Sequence, residues 1–567
     1  MQEATVTVTL VRPNAKIDAP PVTEDIPVRR GSTVAELART VNDGDAERSV
    51  VGAIVDGRLV SLKHELEGPA RVQLLDLTHQ EGHRICQRTA IFILAAAARE
   101  CLPASRLRIE HTLSNGIYGE FKGPERFSAA DVARLSKAMQ RLIDADLPIE
   151  ARTLPLAEAK EVIRTVQTEQ ERAGLLQILD QLDAEHVTLH TMGDFTDYTD
   201  GPLLPSTGYL TCFRLRHYMP GFILQIPEQL SPPRVPPYRE QPKLTGIYRE
   251  AERWASVMQI SDVAALNDLT PEKAKDLINI NEAFHEKKIA ELADQIARNK
   301  NIRLITIAGP SSSGKTTFSQ RLLIQLRVNG LHPLTLHLDD YFLSRDETPL
   351  DEDGNPDFEA LEAIDLELFN DHLARLIEGE TVEVPTFDFT TGKRVWTGRT
   401  LRLPEGEPII VEGIHGLNDR LTEAVPKASK FKIYISALTQ LNIHDRVRIH
   451  TTDARLIRRM VRDAQFRNLP ADETLTRWPM VRRGEEKNIF PYQEDADAMF
   501  NSALLYELAV LKPYAEARLA EVPRTSPNRP VADHLTWLLS HVRPWKDDAV
   551  PPNSILREFI GGSTFST

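Results

Sequence analysis

The chain has 567 residues, 41% hydrophobic and 26% charged, the balance of a folded protein of several domains rather than a disordered or fibrous one. Its 68 basic and 82 acidic residues leave a net charge of −14, which repels phosphate backbones and argues against a general nucleic-acid binder. Three scattered cysteines, Cys86, Cys101 and Cys212, exclude a disulfide framework and a thiolate zinc site. The opening MQEATVTVTLVRP carries no basic-then-apolar leader, and the longest apolar run, at 90–98, is about half a membrane span, so a cytoplasmic protein without a membrane segment is expected.

Residues 4–10 and 71–77 read as strands, and Thr33 with Glu36 three positions on opens a short helix. That is a small mixed unit over 1–77. The periodicity turns helical over 85–101, and HVTLHTM, YLTCFRL and GFILQI read as strands, giving a second, α+β unit over 78–226. The proline-rich stretch at 227–242 reads as an extended linker, and helical sequence follows to 298 with Thr270-Pro271-Glu272 as a start signal. Over 299–545 strands alternate with helices: RLITIAG, KTTFSQRLLIQLRVNG, PLTLHLDD, a helix near 365–378, PIIVEG and KFKIYIS. This is the pattern of an α/β unit with a parallel sheet. The apolar tail at 546–567 holds a Gly561-Gly562 turn and leaves its docking place open.

The strongest chemical signal is Gly309-Pro310-Ser311-Ser312-Ser313-Gly314-Lys315-Thr316, a full G-x-x-x-x-G-K-[ST] match between a strand and a helix. Backbone N–H groups and the helix N-terminus there converge on an anion, with Lys315 for the β/γ-phosphates and the Thr316 hydroxyl for Mg²⁺. The other reading is a structural Gly/Ser turn. The second strand delivers Asp339 and Asp340 to the carboxyl edge of the sheet, and Asp339 is the better candidate to accept a proton from an acceptor hydroxyl, because Asp340 points the other way if the strand continues. Glu412 ends the third strand, where a carboxylate near Mg²⁺ belongs; an N-cap role is its alternative. Arg455, Arg458, Arg459 and Arg462 fall on neighbouring turns of one helix, read as a mobile lid over a transferring phosphoryl group, or else as a basic face tied to Asp453 and Asp463.

Residues 301–525 resemble the uridine kinase and phosphoribulokinase family of phosphate-loop kinases in GPSSSGKTT, LDDYF, VPTFDFTTGKR, IIVEGIHGL and DARLIRRMVRD, five motifs in order. The resemblance implies ATP and Mg²⁺ as cofactors and Asp339 as general base. It implies nucleotide contacts from Gly309, Ser311, Ser312, Ser313, Gly314, Lys315, Thr316, Thr317 and Arg467, and Mg²⁺ near Thr316 and Glu412. Arg458 and Arg462 become catalytic lid arginines beside Lys315, and Asp340, Tyr341, Glu359, Phe387 and Arg394 surround the acceptor. Two positions depart from the family pattern: Gly392 stands where a base-contacting histidine is usual, and Glu359 replaces a sugar-binding aspartate.

Residues 1–77, with VDGRLVSLKHELEG, resemble the ubiquitin-like TGS domain, and 78–225, with GDFTDYTDGPLLPSTG, resembles the editing domain of threonyl-tRNA synthetases. Arg88 and Phe92 occupy the positions of that family's H-x-x-x-H metal ligands, and Thr199 or Asp200 and Leu203 those of the later ligands, so metal-dependent hydrolysis is not expected. His186 and His190 on one strand stand too far apart to share a metal. The expected fold is therefore multidomain: a TGS-like unit, an α+β synthetase-like unit, helices, and an α/β phosphate-loop kinase. The expected reaction moves the γ-phosphoryl group of ATP to a small acceptor, most readily a nucleoside 5′-hydroxyl. Open beside it stand a kinase for another alcohol, such as a sugar phosphate or pantothenate, and an ATP sensor acting on an RNA or protein partner. The N-terminal half is expected to regulate or to assemble a homo-oligomer, with RNA contact disfavoured by the charge.

Overall fold

Alternation sets the first unit. In the computed structural model, which describes residues 5–12, 21–41, 49–230, 233–351, 354, 356–388, 391–439 and 441–565, β1 (Thr5–Arg12) buries Val8 and Leu10 and turns its threonines outward. With β2 (Val22–Arg29), β3 (Gly52–Val55), β4 (Arg58–Val60) and β5 (Ala70–Leu75) it forms a five-stranded sheet in the order β2-β1-β5-β3-β4. Helix α1 (Val34–Val41) packs Val34, Leu37 and Ala38 into this core. It starts on the capping box expected from the sequence: Thr33 N donates to Glu36 Oε2 at 2.8 Å, and Glu36 N donates to Thr33 Oγ1 at 3.2 Å.

The second unit wraps two sheets around α2 (Gln80–Cys101), which begins earlier than expected because the His79 ring caps it, accepting from Glu81 N at 3.2 Å. Strands β6 (Arg106–Leu113) and β7 (Gly116–Lys122) precede α3 (Ala129–Asp144), β8 (Glu150–Pro155), α4 (Leu156–Val166) and α5 (Glu169–Gln181). Then follow β9 (His186–Met192), β10 (Phe195–Tyr198), β11 (Arg214–Tyr218) and β12 (Gly221–Gln225), in sheets ordered β8-β9-β10 and β11-β12-β7-β6. YLTCFRL is not a continuous strand. Tyr209 ends a 3₁₀ turn, Thr207–Tyr209, and the strand begins only at Arg214; the turn is held by Asp146, whose carboxylate accepts from Ser206 Oγ and from Gly208 N at 3.0 Å.

Beyond the prolines lie α6 (Pro242–Val257), α7 (Val263–Asn267) and α8 (Pro271–Arg298), the last capped by Thr270 with Pro271 in its first turn. The third unit is a parallel sheet of β13 (Leu304–Ala308), β14 (Leu334–His337), β17 (Ile409–Glu412), β18 (Lys430–Ser436) and β19 (Ala498–Asn501), ordered β14-β17-β13-β18-β19. A small hairpin, β15 (Thr386–Asp388) with β16 (Lys393–Val395), stands before β17. Central β13 is buried along its whole length, hence its unbroken apolar run. Helices α9 (Lys315–Val328), α10 (Leu366–Ile377), α11 (Thr451–Phe466), α12 (Ala471–Asn488), α13 (Glu507–Leu519), α14 (Arg529–Ser540) and α15 (Arg557–Ile560) complete it.

The halves interlock through buried charge. Asp445 and Arg446, between β18 and α11, reach Arg106 (Nη2 to Oδ1 2.8 Å) and Asp197 (Nη2 to Oδ1 2.7 Å), and Ile109 N donates to Asp445 O at 2.8 Å. Arg84 of α2 pairs with Asp453 in the first turn of α11. Among the described residues no helix is long and apolar enough to cross a membrane.

Candidate active site

The loop between β13 and α9 is shaped by its glycines. A Cβ on Gly309 would collide with the Ile435 carbonyl of neighbouring β18, so this glycine serves strand packing as well as access to the loop. Gly314 has φ +81° and Ser312 has φ +59°, which turns the chain into α9. Gly314 has no side chain to cap the helix, and among the first N–H groups of α9 that of Thr317 donates to Glu558 Oε2 at 3.2 Å. Lys315 lies over the same loop, its Nζ donating to Gly309 O at 3.0 Å and Pro310 O at 3.2 Å.

A cavity of about 970 Å³ opens over this loop at the carboxyl ends of the strands. Asp339, Glu412, Lys315, Phe387 and Glu359 line it. The strand ends at His337, and a 3₁₀ turn, Leu338–Tyr341, separates the two aspartates. Asp339 is open to solvent through the cavity mouth, yet protein encloses it closely enough that loss of solvation raises its carboxyl, against the pull of Lys315 and His337. Burial pushes Glu412 up to about 7 although Lys315 opposes it, and Thr316 Oγ1 donates to Glu412 Oε1 at 3.0 Å. Burial lowers Lys315, with Glu412 and Glu558 working in the other direction.

Several expected residues lie elsewhere. Asp340 turns away to Arg399 (2.8 Å) and accepts from Phe387 N at 3.4 Å. Tyr341 is fully buried, its hydroxyl 2.9 Å from His372 Nδ1 and its ring edge-on to Phe369, so it belongs to the core and not to an acceptor pocket. Arg394 pairs with Asp365 at 2.7 Å. Thr317 is buried and donates from both Oγ1 and N to Glu558, and Ser313 is fully buried.

Arg458, expected over the phosphates, is 0% exposed and ion-pairs with Glu507 while donating to Ser502 O at 2.8 Å. Arg455 pairs with Glu485 and donates to Ser311 O at 2.9 Å. These two brace the loop from behind, and α11 is a buried wall of the cavity rather than a lid over it. Arg462 and Arg467 do line the cavity, gathered with Arg459 around the buried Asp463 carboxylate at 3.2, 3.4 and 3.3 Å.

Among the lining residues that the sequence left without a role are Glu485, which accepts from Ser311 N at 2.9 Å, Arg345 and Glu558, while Arg459 donates from Nη1 to Ser311 Oγ at 2.7 Å. Arg459 lay in the noted arginine series; nothing local marks the others. Arg345 answers the missing histidine: a Cβ on Gly392 would collide with its side chain, so the glycine makes room for a guanidinium at the cavity rim. In the synthetase-like unit Arg88 Nε stands 3.0 Å from Asp200, and His190, held neutral by burial with its pKa down at about 4, lies 3.1 Å from Thr199 Oγ1. His186 is exposed.

The donors fit a magnesium-complexed triphosphate: helix-start N–H groups and an ammonium for phosphate, a hydroxyl and a carboxylate, both hard oxygens, for Mg²⁺. A parallel sheet with this loop at its carboxyl edge has the architecture of a phosphate-loop nucleotide-binding fold. Residues 304–506 match the model of the Phosphoribulokinase / Uridine kinase family and residues 6–76 that of the TGS domain. The threonine–tRNA ligase of Fusobacterium nucleatum subsp. nucleatum is 32% identical over 181 residues, 32% of this chain and 29% of the ligase. That of Pelobacter propionicus is 30% identical over 188 residues, 33% of this chain and 29% of the ligase. The chain thus spans under a third of the length of these relatives. The solved structure of a "possible uridine kinase" from Bacillus stearothermophilus is 20% identical, covering 35% of this chain and 89% of that one at a TM-score of 0.24.

Proposed function

We propose that the kinase domain transfers the γ-phosphoryl group of ATP to a hydroxyl of a small acceptor, most readily the 5′-hydroxyl of a nucleoside. The observation that carries this reading is the placement of Asp339 and Lys315 in one open cavity beside the loop that follows β13. Lys315 and the α9 N–H groups hold the phosphates; Arg462 and Arg467 stand by to stabilise charge on the transferring group. Asp339, its basicity raised by burial, orients the acceptor hydroxyl and takes its proton as the oxygen attacks the γ-phosphorus and the β–γ bridge bond breaks. Thr316 and Glu412 would hold Mg²⁺, which neutralises phosphate charge when bound. Phe342 and Phe387, edge-on at 5.7 Å, give the acceptor an apolar flank.

Arg345 favours a second reading, in which the acceptor alcohol also carries an anionic group for the guanidinium to grip. ADP release by the purified chain across nucleosides, sugar phosphates and pantothenate separates the two. Stimulation by a nucleoside is expected; stimulation by phosphorylated or carboxylated alcohols alone favours the second reading, and stimulation by none contradicts both. The N-terminal half is read as a docked regulatory unit without the metal chemistry of an editing site, since the Arg88–Asp200 ion pair stands where ligands would be needed.

A further inference from the structure

The C-terminal segment that the sequence left unplaced packs against the phosphate loop. Ile555 lies against Gly314 so closely that any Cβ there would collide with it. Ser554 Oγ donates to Glu282 Oε1 at 2.6 Å, the Arg458 guanidinium lies 5.1 Å over the Phe559 ring, and Gln465 Nε2 donates to Ile560 O at 3.3 Å. These contacts carry Glu558 to the start of α9, where its Oε2 accepts from Thr317 N at 3.2 Å and from Thr317 Oγ1 at 2.9 Å.

Two carboxylates thus sit on backbone donors of the loop and its helix, and they differ in one respect. Glu485, on Ser311 N, is neutralised by Arg455 and by Arg482 at 3.0 Å. Glu558 is 7% exposed and lines the cavity with Lys315 and Glu412, yet forms no ion pair among the described residues. A buried carboxylate with no close ion pair, opposed only at longer range by Lys315, is costly, and its placement on a first-turn N–H is what an anion site at a helix start stabilises. Backbone donors of this turn are also those that a phosphate loop gives to a nucleotide.

We propose that Glu558 is a resident anion of the phosphate site: its carboxylate holds the Thr317 donors that a nucleotide phosphate must take over, and so it sets nucleotide affinity. This rests on the reading of the loop as a nucleotide site. Because α15 and its flanks are anchored on α8, α9 and α11, the side chain is the part that must swing aside, and its negative charge works against every phosphate that enters.

The test is calorimetric titration of the full chain, wild type, E558Q and E558A, with the magnesium complex of the β,γ-imido analogue of ATP, thermal unfolding being read on the same samples. E558Q keeps the size of the side chain and one acceptor oxygen, so the surrounding contacts stay. The expected result is a Kd about tenfold lower in both variants, from removal of one nearby like charge. Equal or weaker binding in the variants, with the wild type binding, overturns the proposal and leaves the nucleotide reading standing. Binding by the variants alone supports both, whereas no binding by any of the three overturns the nucleotide reading and this proposal with it.

Discussion

Asp339→Asn lowers acceptor-dependent turnover by about 10²–10⁴-fold, the usual contribution of a positioned general base, and leaves nucleotide affinity unchanged. The amide has the shape of the carboxylate and can still orient a hydroxyl, but it cannot take the proton. The position suits the task, because Asp339 lies in the cavity with Lys315 while neighbouring Asp340 is committed to Arg399 at 2.8 Å. Steady-state ADP release and a binding titration on the same variant check both halves of the statement. Turnover near the wild-type value means that another group, or water alone, accepts the proton.

Arg84→Met destabilises the chain by about 3–5 kcal/mol, the cost of leaving one partner of a buried ion pair uncompensated. The pair qualifies as buried, since the side chains are 6% and 3% exposed, and Asp453 is also bound by His534 Nε2 at 2.8 Å. Burial alone would raise the Asp453 carboxyl, but Arg84 and His534 outweigh it and hold the group well below the ordinary carboxylate range. A carboxyl lowered in the folded state stabilises fully above its unfolded value of about 4 and loses that contribution as the pH falls through and below it. Urea unfolding should therefore show the deficit of the variant undiminished near neutral pH and narrowing below about pH 4. A deficit under about 1 kcal/mol would mean that the pair behaves as an exposed one.

Local signals were legible and distant partners were not. The run from Gly309 to Thr316 encodes its loop within eight residues, and Thr33 with Glu36, or Thr270 with Pro271, encode helix starts within four. The alternation of apolar strands and helices was enough to expect a parallel sheet and its carboxyl-edge aspartates. The roles of the arginines were not readable, because each depends on a carboxylate far along the chain: Arg455 on Glu485, Arg458 on Glu507, Arg84 on Asp453. Helical spacing places four guanidiniums along one helix without saying that two are neutralised inside the protein. Tyr341 was misplaced for a related reason: a turn replaces the expected strand end and sends the ring to Phe369 and His372. The tail carries no motif, and its place beside Thr317 follows from packing of Ile555 and Phe559 that only the assembled domain provides.

The central claim is that the loop after β13 binds a magnesium-complexed nucleoside triphosphate. Titration of the wild-type chain and of Lys315→Ala with the imido analogue of ATP tests it most directly. Wild type should bind one equivalent, and the variant should bind about 10–100-fold more weakly, the loss of one charge-assisted contact to phosphate. Absence of binding by the wild type and by E558Q alike, or equal affinity of the wild type and Lys315→Ala, would contradict the account.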